Sequence, residues 1–166
     1  MPAMKKTFLF LAALAAFTLA SAEQVTLKVD QVIQVANALA SLDSGQTKVV
    51  KFTDQTGATS DKAVQLPYEL SGATRWAIAR DLGALKKEVE AFDKARTDVI
   101  KQLTNGGSEI KKEETVKMAK YLDQVNDILQ KPVKVELQKI KGEDLKLDIN
   151  PIPSTTLAAL EPVLTN

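Results

Sequence analysis

From Ser71 to Leu103, apolar residues recur at alternating four- and three-residue steps: Ile78, Leu82, Leu85, Val89 and Phe92, then Val99 and Leu103. Arg96 alone breaks the stripe. Steps of four and three keep side chains on one side of a 3.6-residue helix, so the run predicts a long amphipathic helix with a narrow, coiled-coil-like seam. No Pro interrupts it, and Gly83 weakens it without ending it. Ser71 stands where an N-cap belongs, and Asn105-Gly106-Gly107 supplies the stop. A second helix is expected over about 109–130, with Thr115, Met118, Leu122, Val125 and Leu129 at the same spacing and Pro132 beyond its end. Matching seams and a short Gly-rich link predict an antiparallel helical hairpin, with a long helix at about 71–104 packed on the second.

The flanking segments change period. Val25, Leu27 and Val29 alternate with polar residues and predict a strand over 23–29. Asp30 is placed as an N-cap for a shorter helix through Val32, Ile33, Ala36, Leu39, Ala40 and Leu42, closing near Gly45. Lys48 to Phe52 predicts a second strand, and the polar stretch 53–65, with Gly57, Thr59, Ser60 and Asp61, predicts a loop. Past Pro132, Val133, Val135 and Leu137 alternate as a third strand. Leu145, Leu147 and Ile149 alternate again beyond Gly142-Glu143-Asp144, which suggests a hairpin of strands. Ser154 is placed to cap a short closing helix through Leu157 and Leu160. The expected class is α+β: a helical hairpin packed with a short N-terminal helix and a small β-sheet.

The first 22 residues follow another logic. Lys5 and Lys6 precede an apolar run from Thr7 to Leu19, followed by Ala20-Ser21-Ala22. That is the three-part layout of a secretory signal peptide, with cleavage expected before Glu23 and a single domain over 23–166. A periplasmic or secreted location follows. Loss of the segment removes two lysines and no acid, so the net charge passes from +1 to −1. A chain this close to neutral has no electrostatic footprint for nucleic acid. The remaining aromatics (Phe52, Tyr68, Trp76, Phe92 and Tyr121) are too scattered for a base-stacking platform.

The chain has neither Cys nor His. It therefore has no disulfide, no imidazole base or metal ligand, and no Ser-His or Cys-His nucleophile. Ser108-Glu109-Ile110-Lys111 matches S-x-x-K, yet the accompanying S-D-N and K-T-G motifs are missing and a helix-capping serine explains it better. Asp54, Gly57 and Asp61 lack the ligand spacing of an EF-hand. Glu113-Glu114 and Glu143-Asp144 read as solvated turns rather than carboxylates facing each other across a cleft. No catalytic, cofactor or metal residue is assigned. The structural or interaction candidates are Arg96, Trp76 and Arg80, all on the long helix. For Arg96 two roles compete: a stem laid on the seam with its head in water, or a half-buried pair with a carboxylate of the second helix.

Four segments resemble a family of small phage and prophage proteins of unknown function: TLKVDQVIQVANALASLDSG (26–45), YELSGATRWAIARDLGALKKEVEAFDKART (68–97), PVKVELQKIKGEDL (132–145) and LAALEPVL (157–164). The resemblance implies a strand and a first helix, then a long helix, a second helix, a strand and a short closing helix. It brings no functional residues with it. Members of that family begin near the first strand and stay in the cytoplasm, so the signal-like segment is a departure. The expected function is a non-enzymatic, exported protein–protein interaction module with an unknown protein partner. Homo-oligomers would form if the seam stayed uncovered, and no membrane span is expected after cleavage. The alternative is a periplasmic holdase-type chaperone.

Overall fold

A computed structural model of the chain describes residues 22–165; the signal-like segment lies outside them, apart from Ala22. Strand β1 (Ala22–Lys28) pairs antiparallel with β4 (Pro132–Gln138) in a register that sets Val25 opposite Val135 and Leu27 opposite Val133. Partners across an antiparallel ladder share a face, so the alternation visible in each strand becomes one apolar surface. Leu27, Val135 and Leu137 are buried, while Lys134 and Glu136 face water. Helix α1 (Val29–Ser44) follows β1 without a loop. Asp30 is not its N-cap: Lys28 takes that place, its N–H donating to Gln31 Oε1 at 2.9 Å, and Asp30 sits in the first turn.

Helix α2 (Gly72–Leu103) runs the full predicted length. Ser71 caps it, its Oγ accepting the Thr74 N–H at 3.1 Å. Ile78 and Leu85 are fully buried against α1 and β4, and Leu82 and Val89 pack at the edge of this core. The buried stripe of α1 is Val32, Val35, Ala38, Leu39 and Leu42. Ile33, Ala36 and Ala40, expected on that stripe, instead line one wall of a groove of about 470 Å3 between α1 and α2. The stripe of a globular helix is wide enough that neighbouring apolar rows compete for the core, and the row carrying Val35 and Ala38 wins.

Four further expectations differ from the fold. The polar stretch 53–65 is not a loop: β3 (Thr59–Leu66) pairs antiparallel with β2 (Gln46–Thr53), and only the turn between them is irregular. Both faces of this ribbon are largely exposed, so no burial requirement imposes hydrophobic alternation on β3. The second helix, α3, begins at Thr115 rather than near 109 and ends at Leu129. The connection 104–114 is irregular, with Asn105 and Gly106 at positive φ. Residues 145–149 form no strand: Gly142–Leu145 is a 3-10 turn, Lys146 takes a left-handed conformation, and Leu147 and Ile149 are exposed. Ser154 is the first residue of α4 (Ser154–Leu160), and Pro153 takes the N-cap position.

Two short strands, β5 (Ile140–Lys141) and β6 (Leu164–Thr165), pair in parallel and tie the C-terminus to the body. The described architecture is thus α+β, with four α-helices and three two-stranded sheets. The core lies between α1, the first half of α2, β4 and α4.

One buried polar side chain fastens the C-terminal segment to the start of α2. Asn150 is 3 % exposed; its Nδ2 donates to the Leu145 carbonyl at 2.7 Å and its Oδ1 accepts the Glu69 N–H at 2.9 Å. Asn150→Ala strands both backbone groups, so unfolding in urea should show a loss of about 2 kcal/mol. A loss below about 0.5 kcal/mol would mean that water replaces the amide at little cost.

Candidate functional site

The second half of α2 leaves the core and is accompanied by α3. Val99 is buried there, and Phe92 and Leu103 are half-buried. Helix α3 has no buried residue at all. Its half-buried side includes Met118, Tyr121, Val125 and Ile128, while Val116 and Leu122 are 69 % and 58 % exposed. Leu122 was expected on the inner seam and instead faces water. Helical spacing puts Leu122 beside the half-buried side and Ala119 and Val116 progressively further round the outer surface, so α3 carries more apolar surface than α2 covers.

The ribbon offers a second exposed feature, with Val49 and Phe52 at 64 % and 53 %. Its tip is organised by Asp54, whose Oδ1 accepts the Thr56 N–H (2.8 Å), the Thr56 hydroxyl (2.6 Å) and the Ala58 N–H (3.0 Å). These bonds, the Thr56 hydroxyl first, hold the Asp54 carboxyl below the usual range. Asp61 sits on β3 opposite Lys51. Asp54 is committed to the turn and Asp61 to the ribbon, so the calcium-loop reading has no geometry behind it.

Arg96 is half exposed and its guanidinium lies 3.4 Å from Asp93 of the same helix. Its carboxylate is therefore on α2 and not on α3, which removes the inter-helix pair from its two candidate roles. Trp76, 42 % exposed, lies under the Arg80 guanidinium at 4.9 Å, a surface cation–π contact close to the core edge. The structure brings Trp76 and Arg80 together and leaves Arg96 apart from them. Ser108 and Lys111 are exposed in the irregular connection, so no helical turn aligns them. Glu114 accepts the Lys111 N–H and pairs with Lys117, and chiefly that pair lowers its carboxyl. Glu143 sits within 3.6 Å of Lys141 on the surface.

Sequence reasoning missed Asp81. It lies on α2 three residues after Ile78, is 1 % exposed, and accepts the Gln138 N–H on Oδ1 at 2.7 Å. Burial pushes its carboxyl up to about 6, against the Gln138 N–H, Arg80 and Lys139, which all act to lower it. A signal existed: three- and four-residue steps from Ile78 to Leu85 pass through Asp81 as well as Leu82.

Among the described residues no cluster of three or more Asp or Glu side chains is placed to hold a metal ion, and no helix is long and apolar enough to cross a membrane. The groove between α1 and α2 is walled by Ile33, Ala36, Leu82 and Val89, with the Lys86–Glu90 pair (3.7 Å) at its edge. It presents apolar side chains and no convergent set of polar groups of the kind that small-molecule sites use. Comparison of the chain with family models, curated proteins and solved structures gave no match.

Proposed function

We propose that the protein is a non-enzymatic, exported interaction module of phage or prophage origin, which contacts a partner protein through an antiparallel hairpin of α2 and α3. The observation that carries this reading is the outer apolar surface of α3 at Val116, Ala119 and Leu122. Two large apolar side chains exposed on the outer surface of one helix, beyond what the fold needs for its core, fit a surface that another protein covers. The signal-like segment before β1 supports the compartment, and the four family-like segments support the origin.

The test is a Val116→Asp/Leu122→Asp double variant of the tagged full-length protein, expressed in the cells that make it. It is expected to keep the wild-type circular dichroism spectrum and to lose a protein that co-purifies with the wild type from the exported fraction. Equal recovery of that protein by both forms would remove α3 from the interface.

The exposed ribbon favours a second reading as a periplasmic holdase. Two open sheet edges, Val49, Phe52 and the outer surface of α3 together present surfaces for unfolded chains of many kinds. That reading requires an equimolar amount of the protein to suppress aggregation of an unfolded outer-membrane protein, and no suppression dismisses it.

A further inference from the structure

Two buried side-chain oxygens have no donor among the described residues, Asp81 Oδ2 and Gln138 Oε1, and they belong to residues already joined by the Gln138 N–H. The cations nearby are engaged elsewhere. Arg80 lies over Trp76, and Lys139 Nζ is held by Glu23 at 3.2 Å and by the Pro162 carbonyl at 3.0 Å. Arg80 and Lys139 are the charged groups that act on the Asp81 carboxyl, and the other elements packed on α2 (α1, α3 and β4) add none. Lys134 and Glu136 of β4 face water, and the acids of α1, Asp30 and Asp43, sit near its two ends away from its buried stripe. A buried carboxylate with one bare oxygen is costly, and a proton is the smallest group that relieves it, because it turns an acceptor into a donor.

We propose that Asp81 is a proton-binding site of the folded protein. Its Oδ2 takes up a proton in mild acid, and the neutral acid, still receiving the Gln138 N–H on Oδ1, fixes α2 most firmly to the end of β4. The sign follows from the direction of the shift. The folded state binds this proton more tightly than the unfolded chain, so the added stability is complete below the ordinary carboxyl range and fades as pH rises through about 6. The site lies at the root of the α2–α3 pair and is independent of what that pair binds.

The experiment follows the Asp81 13Cγ resonance of the full-length protein from pH 3 to 8, together with urea unfolding of the wild type and Asp81→Asn near pH 5 and pH 7.5. The amide of Asp81→Asn keeps an acceptor for the Gln138 N–H and adds the missing donor without a charge. Asp81 is expected to titrate near 6, well above the other aspartates. Between pH 7.5 and 5, the folding constant of the wild type should gain about tenfold or more relative to that of the variant. At pH 7.5 the variant should be the more stable of the two. An Asp81 resonance that titrates with the ordinary aspartates overturns the proposal, as does a variant less stable than wild type at pH 7.5. Either result would mean that a water, a cation or a reversed Gln138 amide holds the carboxylate ionised. Should Asp81→Asn fail to fold, the wild-type titration decides alone.

Discussion

Leu85→Ala is expected to destabilise the protein by about 3–5 kcal/mol, and Leu122→Ala to leave stability within about 0.5 kcal/mol. Both leucines belong to three-four apolar patterns on neighbouring helices, and the sequence alone weights them equally. Their surroundings differ. Leu85 is 0 % exposed in the core shared by α1, α2 and β4. Truncation there removes transfer free energy and leaves a cavity in a close-packed cluster of side chains that relaxes only in part. Leu122 is 58 % exposed, so truncation removes little buried surface. Urea unfolding monitored by circular dichroism gives both numbers. A large loss for Leu122→Ala would place it in a core and contradict the free outer surface of α3.

Gly45→Ala should cost roughly 3–5 kcal/mol, for a reason unrelated to hydrophobic burial. Gly45 closes α1 with φ 81° and ψ −162°, a region that essentially only glycine occupies. A Cβ there would lie 2.2 Å from the Leu66 carbonyl oxygen and 2.8 Å from the Pro67 Cα. Both are main-chain atoms and cannot swing aside as a side chain does, so either α1 or the ribbon must shift. Gln65 Nε2 donates to the Ser44 carbonyl at 2.8 Å and to the Gly45 carbonyl at 3.2 Å, so the shift would also break the ribbon's anchor. Gly57→Ala is the control: it has a similar φ of 85° and open space around it, and should cost only about 1–2 kcal/mol. Equal costs at the two positions would show that backbone strain alone, and not close approach, governs Gly45.

The parts of the fold legible in the sequence are those where burial imposes a period. Helix α2 was readable end to end because a 3.6-residue period, an N-cap serine and an Asn-Gly-Gly stop agree. Strands β1 and β4 were each readable from their alternation, Val25 and Leu27 in one and Val133, Val135 and Leu137 in the other, but their pairing was not, since residues 145–149 stood as the expected hairpin partner. The ribbon strand β3 was not, because its residues are held by backbone pairing to β2 and by the Asp54 turn, neither of which constrains hydrophobicity. Residues 109–114 stood as the expected start of the second helix but lie in the irregular connection, where Glu114 spends its carboxylate on the Lys111 N–H and on Lys117. Leu147 and Ile149 imitate a strand, but the chain turns at Lys146 instead.

The candidate surface was half legible. The apolar spacing of α3 was visible, and the spacing could not say which of two adjacent apolar rows would meet α2. Arg96, the residue that stood out on the seam, pairs with its own helix. Asp81, which attracted no notice, is the buried charge. Periodicity locates a stripe, whereas desolvation depends on what the rest of the chain lays over it.

The interaction account is tested most directly by a photo-crosslinking residue at position 122 of the full-length protein, in the cells that make it, with position 85 as a buried control. The account predicts one discrete adduct with a different protein from position 122 and none from position 85. Absence of any adduct at position 122, or an adduct formed only with a second copy of the same chain, would contradict it.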